Sequence, residues 1–590
     1  MIVVPLPRLV FPGLIITVLL LSFAARLYKL SSVPSVVSHD EIYYMVEAKT
    51  ISLTGRDPSG LWQPSSLIPA NTLFAELPGT IMSLAARLIP QNPLLAGRVT
   101  SAVMGTLLPL LLAGVVFELS KNKRLFLITF LIATVNPWIF QFSRMSFDSL
   151  FSLFFYFTGF YLLLRLTGFW KLLAAIPFIL GFYQYQGLKV VFLPFVLIAA
   201  LAVILQSNKN LFSKKLLPIW LFLLILSIFF VSQVIRITNQ AAGERTNDII
   251  FAHRADFRLA AGVQQQQSIE NIFQKTFVNS YTMMARSAAQ AYLGSFNPQQ
   301  LFVNGEARRN PFSVWSLGIL YLIDAPLLVF GLLALWREKR HKVLAITISL
   351  LILLGPLPSA LQTNDIWIMF RSSLLFISLV LLSGYGLYAV TKLNRIFAIA
   401  IVALYVIFVT QFFYEYFFRY PIYGTEGKYF AERVLGEYVR RLPKSQKINV
   451  YADEKYFVFL EILLSANLIT QDSVQQLQEA MQSGIYSLSN VRVDTTCFPV
   501  GIDWNSTTAV KDSSTAPCEG EQDVEQMKSL PKSAIASLLD SGAVFTLYND
   551  QLCAQYSLGG SLFVRTDVFD FSKLSDEAFC RSFFITSEKE

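Results

Sequence analysis

The stretch FRSSLLFISLVLLSGYGLYAVTKLNRIFAIAIVALYVIFVTQFFYEY, residues 370–416, decides the fold class. It holds two apolar runs, 370–391 and 396–416, and each is long enough to cross a bilayer as a helix of about 20 residues. The gap between them carries Lys392 and Arg395, as the positive-inside rule expects of a short cytoplasmic loop. The stretch therefore predicts two membrane helices joined by a cytoplasmic turn.

Similar apolar runs recur along the chain before residue 370. They lie near 9–27, 98–118, 125–142, 149–166, 171–187, 189–206, 216–235, 314–336 and 343–360. The predicted fold is therefore an all-α polytopic membrane bundle of about eleven transmembrane helices.

Composition agrees with a lipid environment. The chain has 590 residues, of which 54% are hydrophobic and 15% charged, and its mean hydropathy is +0.51. The formal net charge of +9 does not indicate a nucleic-acid partner, because no basic stripe with interleaved aromatic residues lies on a soluble segment. The basic residues instead gather in short gaps between apolar runs: Lys121, Lys123 and Arg124; Lys209, Lys214 and Lys215; Arg337, Lys339, Arg340 and Lys342; Lys392 and Arg395.

One topology accommodates all of these basic clusters. With the N-terminus in the cytoplasm, alternate crossings place every cluster inside and place segments 28–97, 236–313 and 417–590 outside. We expect a multi-pass protein of a prokaryotic plasma membrane, since no retrieval signal or eukaryote-type insertion is seen. Residues 1–418 form the predicted transmembrane module, with external loops 28–97 and 236–313, and residues 419–590 form an extracytoplasmic domain.

The C-terminal segment has the pattern of a small α/β domain. A helical pattern over 426–442 is followed by strand-like runs at 447–452, 543–548 and 561–564, and by helix-like runs at 456–468 and 473–481.

All four cysteines, Cys497, Cys518, Cys553 and Cys580, fall in this C-terminal segment. An even number of cysteines in an oxidising compartment suggests two disulfides. Among the three connectivities we predict neighbour pairing, Cys497 with Cys518 and Cys553 with Cys580. A zinc site is the alternative, which the missing CxxC spacing and the lack of a nearby histidine disfavour.

Two adjacent carboxylates, Asp40 and Glu41, follow the first apolar run by about ten residues and lie after His39. An ordinary solvated loop acid is one interpretation. The other is a general base at the membrane surface, where a lipid-borne substrate would present its head group.

Several motifs occur in the order in which one superfamily carries them. They are Asp40-Glu41; Arg98-x-x-Ser101-x-x-x-Gly105; Asn136-Pro137, Ser143-Arg144 and Asp148; Tyr183-x-Tyr185-x-Gly187-x-Lys189; Phe302-x-x-Gly305-Glu306 with Arg308 and Arg309; and Pro356-x-Pro358-x-x-Leu361 followed by Arg371. Over about residues 1–425 the chain thereby resembles the GT-C superfamily of membrane glycosyltransferases, in particular glycosyltransferase family 39, which includes protein O-mannosyltransferases, and the aminoarabinose transferases. It departs from the usual pattern at Lys189, where arginine is more common, and at Asn310, where histidine is.

The resemblance implies a polyprenyl-phosphate-linked sugar as donor and an acceptor hydroxyl on a protein, glycan or lipid. It implies an inverting displacement with Asp40 as the general base and Glu41 as an orienting group. The donor phosphate would be bound by Lys189 and Arg144, with Arg98 and Arg371 in reserve, although snorkelling to lipid headgroups also suits such side chains. Further substrate contacts are expected from His39, Tyr43, Tyr183, Tyr185, Asp148, Glu306 and Arg308. The resemblance makes no metal obligatory, and metal dependence stays open.

Three other functions are alternatives to this one. En bloc oligosaccharide transfer is disfavoured, since the Trp-Trp-Asp acceptor motif is absent from the C-terminal segment. A transporter or flippase of lipid-linked sugars would usually show paired repeats and midplane charges, whereas Asp324 is the one clear central charge in the predicted spans. A membrane scaffold with an external binding domain is the third alternative.

Overall fold

The computed structural model describes residues 10–70, 74–207, 213–239, 249–306, 312–362, 368–426, 429–494, 502–513, 529–539, 541–558 and 569–586. Up to residue 441 these residues are mostly helical, and beyond it strands alternate with helices. The helices are α1 (Val10–Leu27), α2 (His39–Thr54), α3 (Pro78–Leu88), α4 (Pro93–Ser120), α5 (Lys123–Val135), α6 (Pro137–Phe142), α7 (Asp148–Arg165), α8 (Ala175–Phe182), α9 (Gln186–Lys189), α10 (Phe192–Ser207), α11 (Leu217–Asn239), α12 (Arg254–Gln266), α13 (Gln274–Phe277), α14 (Ser280–Gly294), α15 (Asp324–Arg337), α16 (Lys342–Leu354), α17 (Leu357–Ala360), α18 (Ile368–Arg371), α19 (Ser373–Leu393), α20 (Arg395–Tyr414), α21 (Tyr420–Tyr423), α22 (Phe430–Arg441), α23 (Lys455–Ser465), α24 (Val474–Ser483) and α25 (Asp576–Phe583).

The protein is a multi-pass membrane protein. Within the described ranges, five helical stretches are long and apolar enough to cross a bilayer: Pro93–Ser120, Lys214–Ile237, Lys339–Ala360, Ser373–Leu393 and Arg395–Tyr423. Three shorter apolar helical stretches accompany them, Phe11–Leu27, Gly168–Phe182 and Phe192–Ser207. The predicted helical membrane bundle is therefore confirmed in outline, while the count of about eleven spans is not.

Local breaks explain why several predicted runs are not single long helices. In the run 125–142, Asn136 has extended backbone angles and its side chain accepts the N–H of Ile139, while Pro137 occupies the first helical position. This is a strong N-terminal signal, so one helix ends at Val135 and another begins. In the run 314–336, the regular helix begins only at Asp324.

The C-terminal domain is built on a seven-stranded mixed sheet of order β2-β3-β1-β4-β6-β5-β7. Its central strands β3, β1 and β4 are parallel, with Ile448 paired to both Val491 and Thr508, and the remaining pairs are antiparallel. The strands are β1 (Lys447–Tyr451), β2 (Ser487–Leu488), β3 (Val491–Asp494), β4 (Thr507–Asp512), β5 (Lys532–Ala536), β6 (Ala543–Tyr548) and β7 (Phe584–Ile585).

The domain carries a disulfide between Cys553 and Cys580, which is one of the two predicted pairs. Cys497 and Cys518 lie outside the described residues, as does the predicted strand 561–564. The predicted strands 447–452 and 543–548 are present as β1 and β6.

The C-terminal domain also contacts the helical part directly. Helix α23 packs against α2, and the ring of Phe457 lies 5.4 Å from that of His39 and 6.4 Å from that of Phe74, centroid to centroid. The start of α2 therefore lies at the junction between the two parts of the chain.

Candidate functional site

Asp40 and Glu41 occupy the first turn of α2 rather than an open loop. The helix begins because the Ser38 side chain accepts the N–H of Glu41 at 3.2 Å, which caps the helix. Carboxylates in a first turn are favoured by the positive end of the helix dipole. The two adjacent side chains then point in different directions and meet different surroundings.

Glu41 is buried and forms an ion pair with Arg98. Its Oε1 accepts from Nε of Arg98 at 2.8 Å and from the backbone N–H of Ser146 at 3.0 Å. Both side chains of the ion pair are fully buried. Because a buried ion needs a partner and satisfied hydrogen bonds, this pair fixes α2 to α4 and to the loop before α7.

Arg98 and Arg144 bind backbone carbonyls of the segment 25–36, which joins α1 to α2. Arg98 donates to the carbonyls of Leu30, Pro34 and Val36 at 2.9–3.2 Å. Arg144 donates to those of Ala25, Arg26, Tyr28 and Val33 at 2.6–3.1 Å. Both guanidinium groups are buried, so these arginines hold the chain that leads into α2.

A close approach of backbone to backbone lets Arg144 reach this segment. A Cβ added at Gly105 of α4 would lie 2.0 Å from Cβ of Ser143, which no side chain permits. Gly105 therefore allows the loop that carries Ser143 and Arg144 to lie against α4.

Asp40 differs from its neighbour. Its side chain is 11% exposed, and its Oδ1 lies 3.5 Å from Nε2 of His39, whose side chain is 40% exposed. In the first turn of α2 the Asp40 carboxylate is thus buried with slight exposure, the His39 imidazole is partly exposed, and Glu41 is fully buried.

The loop 74–77 covers the side of α2 next to Asp40. Phe74 stacks on Tyr43 with ring centroids 3.9 Å apart. The Tyr44 hydroxyl accepts the N–H of Ala75 at 3.0 Å and donates to Asp148 at 2.6 Å. Asp148 is thereby a hydrogen-bond partner that orients Tyr44.

The loop 74–77 also pairs with a cation, Lys189 of α9. Lys189 lies at the end of α9, and its Nζ donates to both carboxylate oxygens of Glu76 at 2.6 and 2.8 Å. The lysine side chain is 10% exposed and that of Glu76 is 1% exposed. Tyr183 supports the loop, since its carbonyl accepts the N–H of Leu77 at 3.0 Å, and its hydroxyl donates to the carbonyl of Leu67.

Sequence reasoning missed Glu76. The signal was a single acid in an otherwise apolar stretch, directly before Leu77 and the Pro78 that opens α3.

A wall of aromatic rings joins His39 to the later candidate residues. Phe312 lies 6.4 Å from His39, 4.8 Å from Phe147 and 5.0 Å from Phe370, measured between ring centroids. Tyr185 is 6.3 Å from Phe370. Tyr185 and the half-buried Arg371, which follows Phe370, are thus placed on the same side of the core as the start of α2.

Glu306 belongs to the edge of this wall. Its Oε1 accepts the N–H of Met369 at 2.5 Å, and its own N–H is donated to Ser313 at 3.0 Å. Gly305 before it has φ of +62° and ψ of −147°, a conformation that glycine alone adopts without strain. Arg308 lies outside the described residues, as does Asn310.

A buried carboxyl, that of Glu47, lies about two turns further along α2. Burial raises the pKa of Glu47 well above its usual range, and the nearby carboxylates of Asp57 and Glu76 raise it further.

Among the described residues, no group of three or more His, Cys, Asp or Glu side chains is arranged to hold a metal ion.

Comparison with known proteins gives structural likenesses only. No protein-family model matches the chain, and no curated protein matches it in sequence. Its structure is similar to that of ArnT from Cupriavidus metallidurans bound to undecaprenyl phosphate, with a TM-score of 0.48 and 10% identity over 91% of this chain and 98% of the other.

A second similar structure is the archaeal oligosaccharyltransferase AglB from Archaeoglobus fulgidus in complex with an inhibitory peptide and a dolichol-phosphate. Its TM-score is 0.45, with 13% identity over 91% of this chain and 74% of that one. At these scores the likeness does not itself assign an activity to the chain.

Proposed function

We propose that this protein is a membrane glycosyltransferase that moves a sugar from a polyprenyl-phosphate donor to an acceptor hydroxyl on the extracytoplasmic face, with Asp40 as the general base. The observation that carries the proposal is the difference in surroundings between the two carboxylates in the first turn of α2. Glu41 is fully buried in an ion pair with Arg98, whereas the Asp40 side chain keeps 11% exposure beside the more exposed His39.

The chemistry needs few groups. The acceptor oxygen attacks the anomeric carbon, the bond from that carbon to the phosphate oxygen breaks, and the polyprenyl phosphate leaves with the electron pair. The proton of the acceptor hydroxyl passes to the Asp40 carboxylate. Attack from the side opposite the leaving group inverts the anomeric centre. Because phosphate is already a good leaving group, a general acid adds little.

For the donor phosphate we propose Lys189 and Arg371. Lys189 is held by Glu76 beside the loop that covers α2, and Arg371 is half-buried beyond the aromatic wall. An ammonium has three donors, so Lys189 can keep both hydrogen bonds to Glu76 while it contacts a phosphate oxygen.

Arg98 and Arg144 are proposed as positioning residues. Their guanidinium groups bind backbone carbonyls of the segment 25–36 and are buried. A phosphate would have to displace those carbonyls, so their placement favours support of α2 over the predicted contact with the donor.

The remaining candidates have supporting parts in the proposal. Tyr43 and Tyr183 support the loop 74–77, and Asp148 orients Tyr44. His39 and Tyr185 lie where a sugar ring would meet the aromatic wall, and Glu306 fixes the backbone two residues before Arg371.

The test is transfer of radiolabelled sugar from a panel of polyprenyl-phosphate sugars by the purified protein in lipid. Asp40→Asn is compared with wild type and with Asp256→Asn, a matched control whose side chain is 76% exposed on α12. We expect loss of turnover by Asp40→Asn of about 10²-fold or more, with donor binding retained and the control unchanged. Equal turnover by the Asp40 variant would remove this residue from the mechanism.

A further inference from the structure

A cavity of about 630 Å³ lies next to Glu306, away from Asp40. It is formed by the loop after α14, the segment around Trp315, the end of the last membrane helix and the tip of the β5–β6 hairpin. Its volume falls in the range of roughly 300–1,000 Å³ that is usual for small-molecule sites. The lining residues are Asn297, Gln299, Gln300, Asn304, Gly305, Glu306, Trp315, Ser316, Arg419, Tyr423 and Leu539.

Four of the lining side chains are carboxamides, namely Asn297, Gln299, Gln300 and Asn304. Each carboxamide offers both a donor and an acceptor. A sugar hydroxyl also donates and accepts, and neighbouring hydroxyls on a ring are spaced to meet such pairs. Four carboxamides in one lining therefore suit a polyhydroxylated ligand.

Two aromatic side chains supply an apolar face. The rings of Trp315 and Tyr423 lie 5.5 Å apart at an interplanar angle of 42°. Tyr423 is held by a 2.8 Å hydrogen bond between its hydroxyl and that of Ser316, which also bonds Glu415. A sugar ring has an apolar C–H face. An aromatic ring packed against that face buries apolar area and leaves the sugar hydroxyls free to form hydrogen bonds.

The charges of the cavity favour a neutral ligand over a phosphate. Arg419 is the basic residue in the lining, and its Nη1 is bound by Glu415 at 2.9 Å. Glu306 adds a negative group.

We infer that this cavity binds a neutral saccharide ring, and that the acceptor of the reaction therefore carries a glycan; this inference rests on the proposed function. The cavity and the proposed catalytic site share Glu306, whose carboxylate fixes Met369 beside Phe370 and Arg371. Leu539 places the C-terminal domain at the rim of the cavity, so the domain helps to select the acceptor.

The test measures saccharide binding separately from transfer. Saturation-transfer NMR is recorded on the full-length protein in detergent with a panel of methyl glycosides and neutral trisaccharides of mannose, glucose and N-acetylglucosamine. Inorganic phosphate serves as a comparison ligand. The variants are Trp315→Leu, which removes the aromatic face, and Asn304→Leu, which removes a carboxamide. Trp170→Leu is the matched control, since Trp170 is 68% exposed outside the cavity.

We expect at least one saccharide to bind wild type and Trp170→Leu, with affinity about tenfold weaker in both cavity variants. Unchanged thermal melting would show that the variants are folded. No saccharide bound by wild type, equal binding by Trp315→Leu and Trp170→Leu, or phosphate bound in preference would overturn the inference. Asp40→Asn should bind the saccharide normally. Saccharide binding without transfer from any donor would count against the proposed function alone.

Discussion

Replacing Glu41 by glutamine should destabilise the protein far more than replacing Asp40 by asparagine, although the two acids are adjacent. The introduced carboxamide keeps an acceptor for the N–H of Ser146 but leaves the Arg98 charge unpaired. Because both side chains of the ion pair are fully buried, removal of one partner should cost about 3–5 kcal/mol. Asp40→Asn should cost about 0.3–1 kcal/mol, the value of a first-turn charge on the helix dipole.

The assay is thermal melting of purified protein in detergent, followed by intrinsic tryptophan fluorescence. We expect Glu41→Gln to melt roughly 2–4 °C below wild type, and Asp40→Asn within about 1 °C of it. Arg98→Gln should also melt early, because it strands the carbonyls of Leu30, Pro34 and Val36.

The double variant Glu41→Gln/Arg98→Gln separates the ion pair from these other contacts. We expect it to melt no lower than Arg98→Gln alone, since the charge left unpaired in each single variant is gone. If Glu41→Gln melted like Asp40→Asn, or if the two single effects simply added, the assignment of Glu41 as the structural partner of Arg98 would be refuted.

Three further outcomes are expected. Burial raises the pKa of Glu461 from an ordinary 4.5 to about 8. Below about pH 4.5 this carboxyl is protonated in both the folded and the unfolded state, whereas between pH 4.5 and 8 only the unfolded state loses the proton. The free energy of unfolding should therefore fall across that window by on the order of 4–5 kcal/mol. Melting curves of Glu461→Gln should lack this loss and lie above wild type at pH 8; a parallel pH profile would contradict it. Cys553→Ser and Cys580→Ser should each lose roughly 3–4 kcal/mol of domain stability, as expected for a cross-link over 27 residues. Melting without reductant checks this, since both single variants should melt below wild type and the double variant Cys553→Ser/Cys580→Ser should match them. The double variant Lys189→Gln/Glu76→Gln removes both charges of the ion pair and should raise the donor KM about tenfold with a smaller change in kcat. Lys444→Gln, on an exposed turn, should change neither constant. An unaltered KM in the double variant would exclude Lys189 from donor binding.

Sequence patterns predicted strands β1 and β6 and helices α23 and α24 of the C-terminal segment because their signals are local, but did not predict β2, β3, β4, β5 and β7. Alternation gave β1 and β6 within one residue, and apolar periodicity gave α23 and α24 within about three. The membrane part was predicted less well, since hydropathy does not register helix breaks. Asn136-Pro137 ends α5, and Asp324, expected near the middle of a span, instead opens α15, where its carboxylate accepts the N–H of Tyr321 at 2.9 Å.

The sequence carries a signal for the start of α2 that our sequence analysis did not use. Ser38 followed three residues later by Glu41 is a helix N-terminal signal, and the structure forms that cap. Helix α2 has no single apolar face that hydrophobic periodicity could reveal, because α3, α23 and the loop 74–77 cover it from several sides. The pairs that decide its chemistry were beyond sequence reasoning, since Glu41 and Arg98 are 57 residues apart and Glu76 and Lys189 are 113 apart.

A third buried arginine connects the C-terminal domain to the start of α2. Arg433 of α22 donates to the carbonyls of Ser35 and Ser31 at 2.9 Å, so it holds the same segment 25–36 that Arg98 and Arg144 hold from the bundle. Burial lowers the pKa of Arg433 to about 10, which leaves it charged at neutral pH. The segment is thus fixed from α4, from the loop before α7 and from the C-terminal domain. The domain is therefore a structural part of the site that presents Asp40, since loss of its arginine would leave two carbonyls next to the first turn of α2 without their donors.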